Sequence, residues 1–291
     1  MEFFMTHKLT LEWVNDLHRT GHLKGIFELE EAVYRAAPGV SQSLLKEFKY
    51  SPAHAKAAME GGNETTKAQE LGTAVHTLVL EPELFPTKYC VAPDIKRNSN
   101  AGKAEYALWE EANAGKTPLN VSDIATCTGI ADGVAKSAVA EMLRHSLKEL
   151  AFFWTDAETG VFCKGRLDAY TAGTILDLKT TSGNATSEDF GRAVANFGYH
   201  IQAAFYLDGL TAAAAASPEL ASAFQVNRFL FVVAEKAAPY GVSVMELPPE
   251  DIELGRAKYR QYLAEYSVCV AENQWPSYSN AIQTVRVPKW A

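Results

Sequence analysis

Residues 165–183, GRLDAYTAGTILDLKTTSG, restrict the fold of this chain more than any other stretch. Two short runs of strand-forming residues flank Ala172-Gly173, a pair suited to a tight turn. Counting outward from that turn pairs 171 with 174, 170 with 175, 169 with 176 and 168 with 177. Asp168 and Asp177 then face each other, with Cβ atoms about 4.5–5.5 Å apart. Like charges so placed destabilise a sheet unless one carboxyl keeps a proton or a cation lies between them. Ile175, Leu176 and Leu178 make the second strand apolar, so it belongs in the middle of a sheet, where unpaired charge is costly. Lys179 follows Asp177 by two positions and emerges on the same face of the strand.

Oxygen ligands at this spacing suit a hard cation such as Mg²⁺ or Mn²⁺. A lysine beside it can orient a water or neutralise a phosphate, and the set as a whole can hydrolyse a phosphodiester. The same spacing also fits two solvent-facing carboxylates with Lys179 as their ion-pair partner. Gln202 and Tyr206 stand at i and i+4 of the helix expected at 199–214, hence on one face. They could reach the lysine, the water or a phosphate, or form the polar edge of an alanine-rich helix. His76, in GTAVHTLVLEP, sits between apolar neighbours, where both a core histidine and a metal ligand are at home.

The rest of the chain sorts by period. Residues 1–35 read as a lead-in and 36–291 as a single domain. A helical part covers about 41–146: a short helix over Ser41–Lys56 broken at Ser51-Pro52, one over Thr65–Leu80, one from Lys103 and one from Ser122 to about His145. Residues 91–102 read as a loop. A sheet core follows at about 149–272. Strands are expected over Glu149–Thr155, Val161–Tyr170 and Thr174–Thr180, helices at 187–197 and 199–214, strands over Arg228–Ala234 and Gly241–Leu247, and a helix at 249–272. Residues 273–291 form a tail. This order describes an α/β (α+β) fold with one central mixed sheet flanked by helices.

Composition removes several classes. A 47% apolar fraction supports a globular core. The net charge of -8 is spread over both halves, so neither is a basic nucleic-acid tail. Cys90, Cys127, Cys163 and Cys269 contain no CxxC pair, which argues against a zinc ribbon or an iron–sulfur cluster and fits unpaired thiols in a reducing compartment. The start, MEFFMTHKLTLEW, lacks the pattern of a signal peptide. No apolar run approaches the roughly 18 residues that span a bilayer. The expectation is a cytoplasmic protein without membrane contact.

Six blocks in order, GVSQSLLKEFKYSPAHAK, LGTAVHTLVLEPELF, KGRLDAY, ILDLKTT, YHIQAAFYLDG and the closing WPSYS…VPKW, make the chain resemble the RecE (exonuclease VIII) branch of the PD-(D/E)XK nuclease superfamily. The resemblance implies the restriction-endonuclease-like core of that superfamily. It implies His76, Asp168 and Asp177 as metal ligands together with the Leu178 carbonyl, and Lys179 as the residue that positions water. Gln202 and Tyr206 match the family's QxxxY helix, which supports the lysine and contacts the DNA backbone. Mg²⁺ is the implied cofactor, with Mn²⁺ as substitute. The implied activity is 5′-to-3′ digestion of one strand of linear double-stranded DNA, yielding 5′-mononucleotides and a 3′ overhang for annealing recombination. A RecT-like annealing protein and a homo-oligomeric ring, a tetramer, are the implied partners. A RecB-like endonuclease or structure-specific nuclease would use the same residues, and a catalytically inactive DNA- or partner-binding scaffold would keep the fold alone.

For gripping DNA, residues 88–103 carry Lys88, Lys96, Arg97 and Lys103 against Asp94, a net +3 suited to an arch or wedge at a duplex end. Ser41, Ser43 and Lys46 stand at a helix start that can hold a 5′-phosphate or simply be capped by Ser41. Arg166 and Lys164 alternate around Gly165, so both could share the face of Asp168, with Arg166 the candidate phosphate contact.

Overall fold

The computed structural model describes residues 9–61 and 66–287. The expected start of a helix at Thr65 and the last residues of the WPSYS…VPKW block lie outside them. The chain opens with α1 (Leu11–Arg19), β1 (Gly25–Glu28) and α2 (Glu31–Ala36). Then come α3 (Gln42–Leu45), a 3-10 turn at Lys46–Lys49, α4 (Pro52–Glu60) and α5 (Lys67–Leu80). The next stretch holds α6 (Phe85–Lys88), β2 (Tyr89–Val91), α7 (Asn100–Ala112), β3 (Thr117–Leu119), α8 (Val121–Ala135) and α9 (Ala140–Arg144). The strands β4 (Leu147–Lys148), β5 (Leu150–Thr155), β6 (Phe162–Arg166), β7 (Ala169–Thr171) and β8 (Thr174–Thr181) follow. The chain continues through α10 (Ser187–Phe197), α11 (Tyr199–Ala214), α12 (Pro218–Ala223), β9 (Arg228–Glu235) and β10 (Val242–Glu246) to α13 (Pro249–Glu272).

The main sheet runs β10-β9-β8-β7-β4, with β8 and β9 parallel and the other neighbours antiparallel. β8 is central and almost wholly apolar up to Asp177, so it can be covered on both faces. Its alternation sends Ile175 into the core shared with α10, α11 and α13, and Leu176 and Leu178 into the core shared with α5 and α8. The turn into β8 needs left-handed backbone at both central residues, Ala172 at φ 44° and Gly173 at φ 82°. A Cβ at Gly173 would also lie 2.9 Å from the Gln225 carbonyl, so glycine is required there. On the other side of the sheet α11 crosses α13 at Gly255, where a Cβ would meet the His200 carbonyl at 2.1 Å.

The expected single sheet is split. β5 and β6 leave the main sheet and pair with β1 in a three-stranded sheet, order β1-β5-β6. The lead-in therefore supplies a strand: Gly25 to Glu28 pair with Phe153 to Leu150, and Val14, Leu23 and Leu29 pack with Phe153 in a third core. The expected strand at 161–170 breaks between Arg166 and Ala169, and the expected helix at 122–145 breaks between α8 and α9. Both sheets share one chain pairing across the split. β5–β6 pairs 151 with 166 and β4–β7 pairs 148 with 169, a single register that sets 149 opposite 168. The Glu149 amide donates to the Asp168 carbonyl at 3.1 Å across this gap, and Glu149 takes φ 55° to make the bend. Among the described residues no helix is long and apolar enough to cross a membrane.

Candidate active site

The β7–β8 ladder follows the register counted from the turn, 171 with 174, 170 with 175 and 169 with 176. It stops there. Asp168 sits one residue beyond, where the chain bends between the two sheets, and its Oδ2 accepts the Leu178 amide at 2.7 Å. The carboxylate is thus tied to the strand that carries Asp177 and Lys179. Alternation along β8 puts Asp177 and Lys179 on the α11 face, where Lys179 Nζ is in direct contact with Asp177 Oδ2. Gln202, from α11, donates to Asp177 Oδ1 at 2.8 Å. The amide of the QxxxY pair therefore meets the carboxylate rather than the lysine.

His76 arrives from α5, on the other face of the sheet, and its Nδ1 lies 3.5 Å from Asp168 Oδ2. Glu149 completes this end. His76, Glu149 and Asp168 each offer a ligand atom, and these atoms lie within 4.8 Å of one another. Glu149 Oε2 is also paired with Arg166 Nε at 3.1 Å. The three acids thus form a row, Glu149 and Asp168 at the two paired bends between the sheets and Asp177 on β8. Glu149 was not among the residues singled out by sequence. Counting outward from the expected turn at Glu158–Gly160 sets 149 opposite 169; the observed turn takes in Ala157 as well, which shifts the register by one and brings 168 opposite 149.

The electrostatics show a site overloaded with negative charge. Burial and the neighbouring Asp168 push the Glu149 carboxyl up to about 7, against the pull of Arg166. Burial lifts Asp177 to about 6, with Asp168 adding to the rise and Lys179 opposing it. Asp168 alone moves down: burial would raise it, but His76 and the Leu178 amide outweigh burial. His76 moves up, because Asp168 outweighs the burial that disfavours its charged ring. Lys179 is likewise raised, with Asp177 and Asp168 overcoming burial.

A divalent cation fits this donor set. Asp177 is 2% exposed, and its Oδ2, though touching Lys179, accepts no well-directed hydrogen bond. A buried, underused carboxylate oxygen near Asp168, with an imidazole and a further carboxylate close by, is compatible in its chemistry with a divalent ion.

A cleft of about 700 Å³ opens over the Asp168 end, lined by His76, Glu149, Asp168 and Tyr206. Ser41, Ser43 and Arg166 line it too, as do Tyr34, Arg35 and Lys88. Ser41 spends its hydroxyl as the N-cap of α3, accepting from the Leu44 amide at 3.4 Å. Arg166 is not a free cation, being only 16% exposed and paired with Glu149. Lys164 lines the cleft with Arg166 and Asp168, but its charge is spent: its Nζ donates to the Tyr34, Arg35 and Ala37 carbonyls at 3.0, 3.2 and 2.5 Å, closing the end of α2. Lys46, Lys96, Arg97 and Lys103 are absent from the cleft wall. Arg97 lines a separate cavity with Lys67, Glu70 and Tyr106, and its guanidinium lies 4.4 Å from the Tyr106 ring centre. Tyr206 packs edge-on against Phe152, and burial carries its hydroxyl well above the ordinary tyrosine range.

Residues 41–288 match the family described as "PDDEXK-like domain of unknown function" (DUF3799). The chain belongs to the PDDEXK-like family. A structural relative of this PDDEXK-like chain, a protein from Eubacterium rectale described as a "putative exonuclease", superposes with a TM-score of 0.56. The two share 13% identity over 86% of this chain and 91% of that one, which shows a common fold. No curated protein sequence matches the chain. Neither comparison reaches the RecE branch to which the sequence blocks point. The match begins at Ser41, so α1, β1 and α2 lie ahead of it, yet Glu31, Tyr34 and Arg35 of α2 stand on the cleft wall.

Proposed function

We propose that this PDDEXK-like chain is a Mg²⁺-dependent exodeoxyribonuclease that digests linear double-stranded DNA 5′-to-3′ to 5′-mononucleotides. The observation that carries the proposal is the carboxylate row Glu149–Asp168–Asp177, flanked by His76 and Lys179, whose Glu149, Asp168 and His76 members line a cleft. His76, Asp168 and Asp177, with the Leu178 carbonyl, would hold the cation, and Glu149 offers a further oxygen. Bound there, Mg²⁺ or Mn²⁺ supplies Lewis acidity and charge neutralisation at the scissile phosphate.

The protein's own groups do the rest. Lys179 donates its N–H groups to the attacking water or to a phosphate oxygen, fixing the line of attack. Gln202 holds one oxygen of the Asp177 carboxylate, which would leave the other for the cation. Tyr206 and Arg166 stand at the cleft, where a DNA backbone would pass. Ser41 and Ser43 stand on the same wall and would contact phosphate through water or after the Ser41 cap opens.

End dependence separates this reading from an endonuclease built on the same residues. With Mg²⁺, 5′-end-labelled linear duplex should be converted to labelled mononucleotide, while a covalently closed circle should persist. Nicking or linearisation of the circle would establish the endonuclease reading instead. The proposal also includes a homotetrameric ring and a RecT-like annealing partner in the same recombination step. A solution mass equal to one chain at micromolar concentration would rule out the ring.

A further inference from the structure

Lys179 is held from two sides. Asp177 Oδ2 touches its ammonium on one side. On the other, Nζ lies 4.9 Å from the centre of the Tyr199 ring. Tyr199 is the first residue of α11, placed by Gly198 in the left-handed region at φ 70°. Its ring is clamped by three others, stacking on Phe190 at 5.8 Å and meeting Phe197 and Phe231 at 5.7 and 6.0 Å. Lys179 is only 16% exposed. A partly desolvated ammonium over a rigid aromatic face is the favourable case for cation–π attraction.

The two holders are not equivalent once a cation enters. The Asp177 oxygen that touches Lys179 is the one left over for a metal, because Gln202 occupies the other. When that oxygen turns to a divalent ion, the lysine loses most of its anionic partner and meets a like charge. Gln202 is committed to Asp177, and Tyr206 packs against Phe152 on the cleft wall. Among the described residues the Tyr199 ring is the holder that remains.

We infer that Tyr199 is the positioning residue for Lys179, its ring face keeping the ammonium aimed while Asp177 serves the metal. The inference rests on the reading of Asp177 as a ligand and Lys179 as a catalytic residue. It requires the ring and not the hydroxyl, and this makes it testable.

Tyr199→Leu keeps bulk but removes the aromatic face, and should lower kcat by about 10–30-fold with KM changed less than about twofold. That loss corresponds to about 1.4–2 kcal/mol of transition-state stabilisation. Tyr199→Phe should stay within about threefold of wild type. A readout without turnover accompanies these: the Lys179 ε-CH₂ protons, identified by their loss in Lys179→Arg, should resonate upfield under the ring. They should stay there in Tyr199→Phe and move to the ordinary lysine position in Tyr199→Leu, with and without Mg²⁺. If the leucine variant does not fold, Tyr199→Met replaces it in both measurements. Equal impairment of the phenylalanine and leucine variants would overturn the inference, since the hydroxyl would then be the acting group. So would wild-type kcat in Tyr199→Leu while Lys179→Ala is inactive, an outcome that leaves the metal site standing. Full activity in Lys179→Ala would take down the reading of the site and this inference with it.

Discussion

At the Asp177 end of the site every polar side chain comes from β8 or α11, and each has a partner: Asp177 with Lys179 and Gln202. At the Asp168 end the groups come from three separate stretches, His76 on α5, Glu149 at the bend before β5 and Asp168 at the bend before β7. The first end is close to neutral. The second gathers two carboxylates around one imidazole, and Arg166 offsets only part of that charge. On the proposed function the work divides between them: the Asp168 end would take a cation from the cleft, and the Asp177 end would aim a lysine at what the cation holds.

Breaking the Asp168 end should produce the largest change in metal affinity. Asp168→Ala removes the carboxylate common to both ends, and Mg²⁺ or Mn²⁺ affinity measured by calorimetry should fall at least ~100-fold, more than the loss typical of outer-shell changes. Unchanged affinity would move the metal elsewhere. Glu149→Gln is the sharper probe, because it tests a residue outside the family motif. If Glu149 is a ligand or anchors one, affinity should fall about 10–100-fold, and a loss below about twofold would reduce Glu149 to a partner for Arg166.

The smallest effect expected is on stability without metal. Glu149 and Asp177 have folded values raised to about 7 and about 6, above their ordinary 4.5 and 3.8. A carboxyl raised in this way favours the folded state while protonated. That contribution is full below the ordinary value and is lost as pH rises through the raised one. His76, also raised, acts in the same direction. The metal-free protein should therefore lose thermal stability between pH 5 and 7.5, roughly 2–4 °C in Tm for each kcal/mol. Glu149→Gln should flatten the fall, and saturating Mg²⁺ should reverse it by favouring the ionised carboxylates. A melting temperature that climbs over this range without metal would contradict the charge overload.

The two ends also differ in how far the sequence discloses them. Asp177 and Lys179 are legible because a two-residue turn makes register a matter of counting, and alternation then assigns faces. Glu149 needs the same counting across a longer turn and over a bend between sheets, where strand assignment by composition gives out. His76 comes within 3.5 Å of Asp168 only through the packing of α5 on the far face of the sheet, a long-range contact that helix periodicity does not encode. Lys164 misleads for a related reason. Its spacing from Arg166 correctly gives a shared cleft, but not that the end of α2 offers three carbonyls and takes up its ammonium. In the fold, β8 and the helices after it follow from long apolar or periodic runs, whereas β1, four residues long, is visible only as the partner of β5.

The claim that joins both ends is that Asp177 and Lys179 work with a cation held at Asp168 to cut DNA. It is tested most directly by release of mononucleotide from linear duplex in Mg²⁺ by wild type, Asp177→Ala and Lys179→Ala, each shown to be folded. Rapid release by wild type and a loss of at least ~10³-fold in both variants is the expected result. Release at the wild-type rate by either variant would contradict it.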